Sequence, residues 1–490
     1  MKKTALILSI VIASITIACK TTSISEEKSL DGVYESVGYG RVLKIVAGEF
    51  ILADVTKYSC IPLMSGEISD FANALNVTND TLSIQDGINR YFFVKMEDAP
   101  LICKAGSAER AAAEAKADDP QHNFEVLWDT FKEHYAYFEL RKIDPEAMYA
   151  EYRPRVTSKT SDPELFMILN EMLASFDDAH ISISAPDEIE DAAEMLSAQG
   201  HSEAKTNATK ISEAPKKRLR NYQVSKMVAD EYIPMGTSIK NGNLRWGKLK
   251  GNIGYIQINQ MMGLVDLGLS DTLSWRDYWM VYFEEGERLE LGTPEEVVGM
   301  NESLDILLDD LAQTNALIID VRFNGGGKDE VGMDVLKRFN PEEKIVFTKK
   351  GRLGDGFTPI NYVRQPASEK PIKKPVYLLI ARESASATEI MALSALSMPN
   401  ITLVGSRTEG VFSDVLDKAL PNGWEFGLSS EVYLDMKGNN YESFGIPPDV
   451  AINYPRDTQE FLHKVVDDLA AEGDAAILKA LILQENLSSN

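Results

Sequence analysis

Pro375-Val-Tyr-Leu-Leu-Ile-Ala381 constrains the fold more than any other stretch, because it has strand length and no charged residue. Such a run fits a strand buried on both sides, as in a parallel sheet covered by helices. It stops at Arg382-Glu383-Ser384-Ala385-Ser386-Ala387-Thr388-Glu389, and Ile390, Met391, Leu393, Ala395 and Leu396 then continue at helical spacing up to Pro399-Asn400. A hydroxyl at this junction leaves the sheet beside helix-start N–H groups that can hold an oxyanion. Serines in such turns are also ordinary helix caps, so the junction alone leaves both readings open.

Three other stretches add chemistry. Ala316-Leu-Ile-Ile-Asp320-Val-Arg322-Phe-Asn324-Gly325-Gly326-Gly327 runs a strand into three glycines, whose backbone can approach a ligand closely. A phosphate loop is poorly supported, since neither Gly-Lys-Ser/Thr nor GxGxxG is present. Ser175-Phe-Asp177-Asp178-Ala179-His180-Ile-Ser-Ile183 delivers a histidine among acidic residues and an alternating strand. Tyr441-Glu442-Ser-Phe-Gly-Ile-Pro-Pro-Asp449 sets a carboxylate ahead of a Gly/Pro turn.

Taken together, residues 384–389, residues 320–327, Val404-Gly405 and Glu442-x-x-Gly-Ile-x-Pro-Asp449 resemble the tail-specific, or C-terminal processing, serine peptidases, over about residues 118–455. The resemblance implies an α/β (α+β) fold with a ClpP/crotonase-like peptidase core at residues 246–455. It also implies acyl transfer on polypeptide substrates. Ser386, which begins the Ser-Ala-x-Glu pattern, is then the nucleophile, with Ser384 as a neighbour in the turn. His180 is the base, and the Gly325, Gly326 and Ala387 amides form the oxyanion hole. Glu442 completes the relay, orienting either the base or an intervening hydroxyl.

The family has a lysine branch, but the place of its lysine falls on Val411. The nearest downstream lysine, Lys418, is expected on a strand surface. Asp-Asp-Ala-His180 instead matches the branch of the tricorn core peptidase and the retinoid-binding-protein repeats. Ala179 stands where that pattern has a serine, so the group orienting the imidazole is missing or supplied from elsewhere. The same branch contains the rival reading, a catalytically inactive envelope lipoprotein binding peptides or apolar ligands. Retention of Ser386, His180, Gly326 and Glu442 together argues for catalysis.

At the N-terminus, Met1-Lys-Lys3, the apolar run Ala5–Ile17 and Ala18-Cys19 read as an export signal at residues 1–18, too short in its apolar part to span a bilayer. The small residue before cysteine looks like a lipobox, with Thr16 in place of the usual aliphatic residue. Cys19 is then the lipidated first residue of a protein anchored in a bacterial cell envelope, on residues 19–30 as a tether. Cys60 and Cys103 are left as a pair, and export favours a disulfide over two buried thiols.

Short β-like runs between turns predict a small β domain at residues 31–104. Residues 118–185 read as a helical subdomain carrying His180, with Phe124, Leu127, Trp128, Phe131 and Tyr135 at core-face spacing and a helix start at Ser161-Asp-Pro-Glu164. Residues 186–245 read as a polar connector, too short for a peptide-binding PDZ module. Its basic cluster up to Arg220 is small against a formal charge of −25, which argues against nucleic-acid binding. The aromatic segment between Met261 and Gly292 reads as a lid, a substrate wall or a packed subdomain, and residues 456–490 as C-terminal helices. Of the five histidines, His122, His134, His201 and His463 lack a motif and fit surface or packing roles. Neither HExxH nor Cys-pair spacing occurs, so no metal and no cofactor is expected.

Overall fold

The computed structural model describes residues 29–71, 74–201, 218–270 and 272–489. Its centre is a seven-stranded sheet in the order Val450–Ala451, Ile401–Gly405, Val376–Ile380, Ala316–Asp320, Ile253–Ile258, Leu244–Leu249, Thr237–Ile239. The first five strands run parallel and the last two are antiparallel. Every residue of the three central strands Val376–Ile380, Ala316–Asp320 and Ile253–Ile258 is buried. Helices cover both faces, as such strands require. Thr293–Asp310, Asp329–Lys337 and Ala387–Ala395 pack on one face. Asn221–Tyr232, Thr458–Ala471 and Ala475–Ser488 pack on the other.

The glycine block contributes an anchor as well as a turn. Arg322 is fully buried, with Nη2 2.6 Å from Asp320 and Nη1 2.9 Å from Asp474 and 3.0 Å from the Tyr454 hydroxyl. Burial alone works against the charged guanidinium, and the two carboxylates outweigh it. The end of a central strand is thereby tied to the start of the last helix.

Residues 186–245 are not a polar connector. They contain the helices Asp187–His201 and Asn221–Tyr232 and the edge strand Thr237–Ile239, and Val224 and Val228 are fully buried against the sheet. Charged residues on the outer side of Asn221–Tyr232 dilute a narrow apolar stripe, which is why composition misleads here.

The N-terminal unit is an antiparallel seven-stranded sheet in the order Cys60–Glu67, Glu49–Val55, Arg41–Val46, Gly32–Ser36, Asn89–Met96, Thr81–Asp86, Leu75–Thr78. A disulfide joins Cys60 to Cys103. Helices Pro120–His134, Pro145–Tyr152 and Asp162–Ala174 form the next unit. The last of these starts where Glu164 accepts the Ser161 N–H at 2.8 Å, as the cap pattern predicts. Phe131, Leu169 and Phe176 pack onto a small sheet of Val415–Ala419, Glu425–Ser429 and Ser182–Ser184. In that sheet Ser182 pairs with Gly427 and Ser184 with Glu425, which joins the helical unit to the core. Cys19 and the signal segment lie outside the described residues. Among the described residues no helix is long and apolar enough to cross a membrane.

Candidate active site

Ser386 stands between the strand Val376–Ile380 and the helix Ala387–Ala395 with φ 52° and ψ −125°. Positive φ is unfavourable for a residue with a side chain, and such strain persists only where the surroundings enforce it. Gly326 is part of that enforcement. A Cβ on Gly326 would lie 2.8 Å from Ser386 Cβ and 3.1 Å from Ala387 N, and its φ is +113°, so only glycine fits. Ser386 is half-exposed. Ser384 is fully buried, its Oγ donating to Val321 O at 2.8 Å and accepting the Ala381 N–H at 3.1 Å. One serine builds the turn and the other is presented by it.

Ala387 opens the helix, so its N–H has no carbonyl within the helix to meet. The expectation that the Gly326 amide also serves an oxyanion is corrected. That N–H donates to Asn324 Oδ1 at 2.9 Å, and the Gly326 carbonyl accepts the Met261 N–H at 2.8 Å. The tight Asn-Gly-Gly-Gly turn consumes this donor internally. Glu389, the last residue of the serine motif, is fully buried and accepts the N–H groups of Gly410 (2.8 Å) and Val411 (2.7 Å). Burial pushes its pKa up to about 7. The place of the lysine-branch base is therefore pinned to the helix that follows Ser386 and holds an apolar side chain.

His180 lies between the helix Asp162–Ala174 and the strand Ser182–Ser184. Its backbone N–H donates to Asp178 Oδ1 at 3.0 Å. Asp178 also accepts the Ser429 hydroxyl (3.0 Å) and the Tyr135 hydroxyl (2.9 Å), and Arg141 Nε stands 3.4 Å away. Burial lowers the imidazole pKa, with Asp178 and Asp414 opposing. The buried Nδ1 has no hydrogen-bond partner among the described residues, whereas the Ser413 backbone holds the ring through a hydrogen bond.

Glu442 is fully buried, but it does not orient the base. Its carboxylate accepts the Phe412 N–H at 2.9 Å and Arg141 Nη2 at 3.2 Å. Burial pushes its pKa up to about 8, with the Phe412 N–H and Arg141 opposing. Among the described residues no hydrogen bond joins His180 to Glu442 or to Ser386. Catalytic hydrogen bonds in substrate-free sites are commonly long, and tighten when substrate closes the site. Arg141, which sequence reasoning passed over, bridges Asp178 and Glu442 and so ties the histidine loop to the core. No spacing signal marks it, because its contact with Glu442 spans 301 residues.

Lys418 is not on a strand surface. It is buried, with Nζ 2.6 Å from Asp54 Oδ1 and 2.6 Å from the Tyr39 carbonyl oxygen. Burial lowers its pKa to about 8. Its apolar neighbours on the strand mask an inward position, and its charge is committed to the β domain. His122 and His134 are buried packing residues. Among the described residues no group of three or more His, Cys, Asp or Glu side chains is placed to hold a metal ion.

The model of peptidase family S41 matches residues 252–452, and that of the tricorn protease C1 domain matches residues 116–174. The core of the chain is thus similar to peptidase family S41. The S41 core includes Ser386, the glycine block and Glu442, and the tricorn match covers the helices that lead to His180. The carboxyl-terminal-processing protease of Synechocystis sp. is 27% identical over 141 residues, 28% of this chain and 31% of that protein. The carboxy-terminal-processing protease of Bartonella bacilliformis is 25% identical over 138 residues, again 28% and 31%. The chain thus spans about a third of the length of these relatives. A crystal structure of an assigned peptidase from Parabacteroides merdae shares the fold, with TM-score 0.52 and 23% identity over 75% of this chain and 96% of that one.

Proposed function

We propose that the protein is a serine endopeptidase of the tail-specific type, hydrolysing peptide bonds in exported or envelope polypeptides through Ser386 and His180. The observation that carries this reading is the strained Ser386 elbow, closed by Gly326 and opened toward the first N–H of a helix. Ser386 Oγ attacks the peptide carbonyl carbon while its proton passes to His180. The resulting oxyanion meets the Ala387 N–H, and the His180 proton then goes to the departing amine. Water, deprotonated by the same imidazole, releases the acyl group and restores the hydroxyl. The similarity to carboxyl-terminal-processing proteases supports polypeptides as substrates. A fluorophosphonate probe tests the assignment: labelling confined to Ser386 is expected, and an unlabelled protein would overturn it.

The base must be neutral to accept a proton. Because burial lowers the His180 pKa, activity should fall on the acid side below the free-histidine value of about 6.5. His180→Ala should lower kcat by about 10²–10⁴-fold across the profile. An acid limb above pH 7, or a variant of wild-type rate, would remove His180 from this role. Anchoring through lipidated Cys19 belongs to the same proposal, as does a location on the cell envelope. Membrane fractionation of Cys19→Ser should find the protein released, since a lipid chain would supply the membrane affinity.

A further inference from the structure

Two arginines are buried in the core, and they are treated differently. Arg322 has two carboxylates. Arg245, only 8% exposed, forms no ion pair among the described residues. Its Nη1 donates to Gln257 Oε1 at 2.7 Å and lies 3.4 Å from Ser225 Oγ, both neutral. Its Nε and Nη2 donate to nothing among the described residues. Asp230, a carboxylate whose field reaches Arg245, is held by Lys226 at 2.7 Å. Leaving a desolvated charge unpaired is expensive, and proteins retain it where a ligand supplies the counter-charge.

The guanidinium lines a cavity of about 460 Å³ between the helix Asn221–Tyr232, the edge strand Thr237–Ile239 and Trp275. Tyr222 and Trp275 stack as one wall, with ring centroids 5.4 Å apart and planes within 10°, and Ile233 and Pro234 add apolar surface. The backbone of Gly242 sits flush against the arginine, for a Cβ there would fall 2.2 Å from Nη2. We infer that this cavity binds a carboxylate carried on a flat apolar group, through the Nε and Nη2 edge of Arg245. Two parallel N–H groups on that edge match the two oxygens of a carboxylate. A phosphate dianion would instead meet the Asp230 carboxylate in the same lining, with Lys226 already paired to it.

The same chemistry occurs in a free aromatic acid and in the C-terminal residue of a polypeptide. Asn221, beside Tyr222 in sequence, donates to Glu383 Oε2 at 2.9 Å, which ties the start of this helix to the turn that carries Ser386. The inference does not rest on the peptidase reading, and binding is measured without turnover.

Calorimetric titration of the Ser386→Ala chain would compare indole-3-propionate, its amide, inorganic phosphate, and a peptide ending in tryptophan as free acid or amide. The free acid should bind one to one, the amide at least about 30-fold more weakly. Arg245→Gln should weaken the acid by a similar factor without lowering Tm, because it removes an unpaired buried charge. Trp275→Ala should weaken it about tenfold and serves if Arg245→Gln fails to fold. A peptide acid that binds as the small acid does, with its amide silent, assigns the chain terminus; binding of the small acid alone assigns a free acid. Equal binding of acid and amide, tighter binding of phosphate, or an affinity untouched by both substitutions would overturn the inference.

Discussion

If Ser386 is the nucleophile proposed above, Ser386→Ala is expected to abolish peptide hydrolysis, lowering kcat by about 10⁴–10⁶-fold, while the variant folds as wild type. The loss is large because no other hydroxyl occupies the elbow: Ser384 is turned into the protein and hydrogen-bonded to Val321 and Ala381. Removing the Ser386 oxygen deletes the attacking atom and leaves those bonds in place. Ser384→Ala should behave in the opposite way. It leaves kcat within about tenfold at low temperature but lowers stability by about 1–3 kcal/mol, since a buried N–H loses its acceptor. Steady-state kinetics beside thermal melts separate the two effects. Equal losses of kcat at both positions would place the nucleophile elsewhere.

Asp474→Ala is expected to be the most destabilising single substitution in the core, at about 3–5 kcal/mol. It strands one side of the Arg322 guanidinium in a fully buried site. It also removes the cap of Ala475–Ser488, where Asp474 Oδ1 accepts the Ala476 and Ile477 N–H groups at 3.0 Å. Denaturant unfolding followed by circular dichroism measures the loss. Replacing all three charged groups, as in Arg322→Met with Asp320→Asn and Asp474→Leu, should restore part of it, because no uncompensated charge is then left buried. A single-variant loss below about 1 kcal/mol would mean that Asp320 alone satisfies Arg322.

The elements of the candidate site were legible as motifs because each is local. Ser386 follows an apolar strand directly, the glycines follow another, and His180 lies in a short acidic motif. Roles set by distant partners were not. Arg141 acquires its place from Asp178 and Glu442, and Glu442, read from the resemblance as orienting the base or an intervening hydroxyl, carries no sequence sign of its arginine partner. Lys418 has an ordinary strand context, and only the docked β domain makes it a buried ion pair with Asp54. Val224 and Val228 were obscured by charged neighbours, so a helix of the central layer passed for a connector. In the glycine block, the motif residues Asp320 and Arg322 proved to be fasteners for the C-terminal helices.

The strand beside His180 is only three residues long, and its partners lie at Glu425–Gly427. A chain made from its N-terminus therefore exposes histidine and serine in turn, yet cannot bring them together until that later strand has emerged. Such long-range pairing is also closed late in folding. On the proposed mechanism, the order of synthesis thus postpones assembly of the Ser386/His180 pair until the segment up to Gly427 has been made.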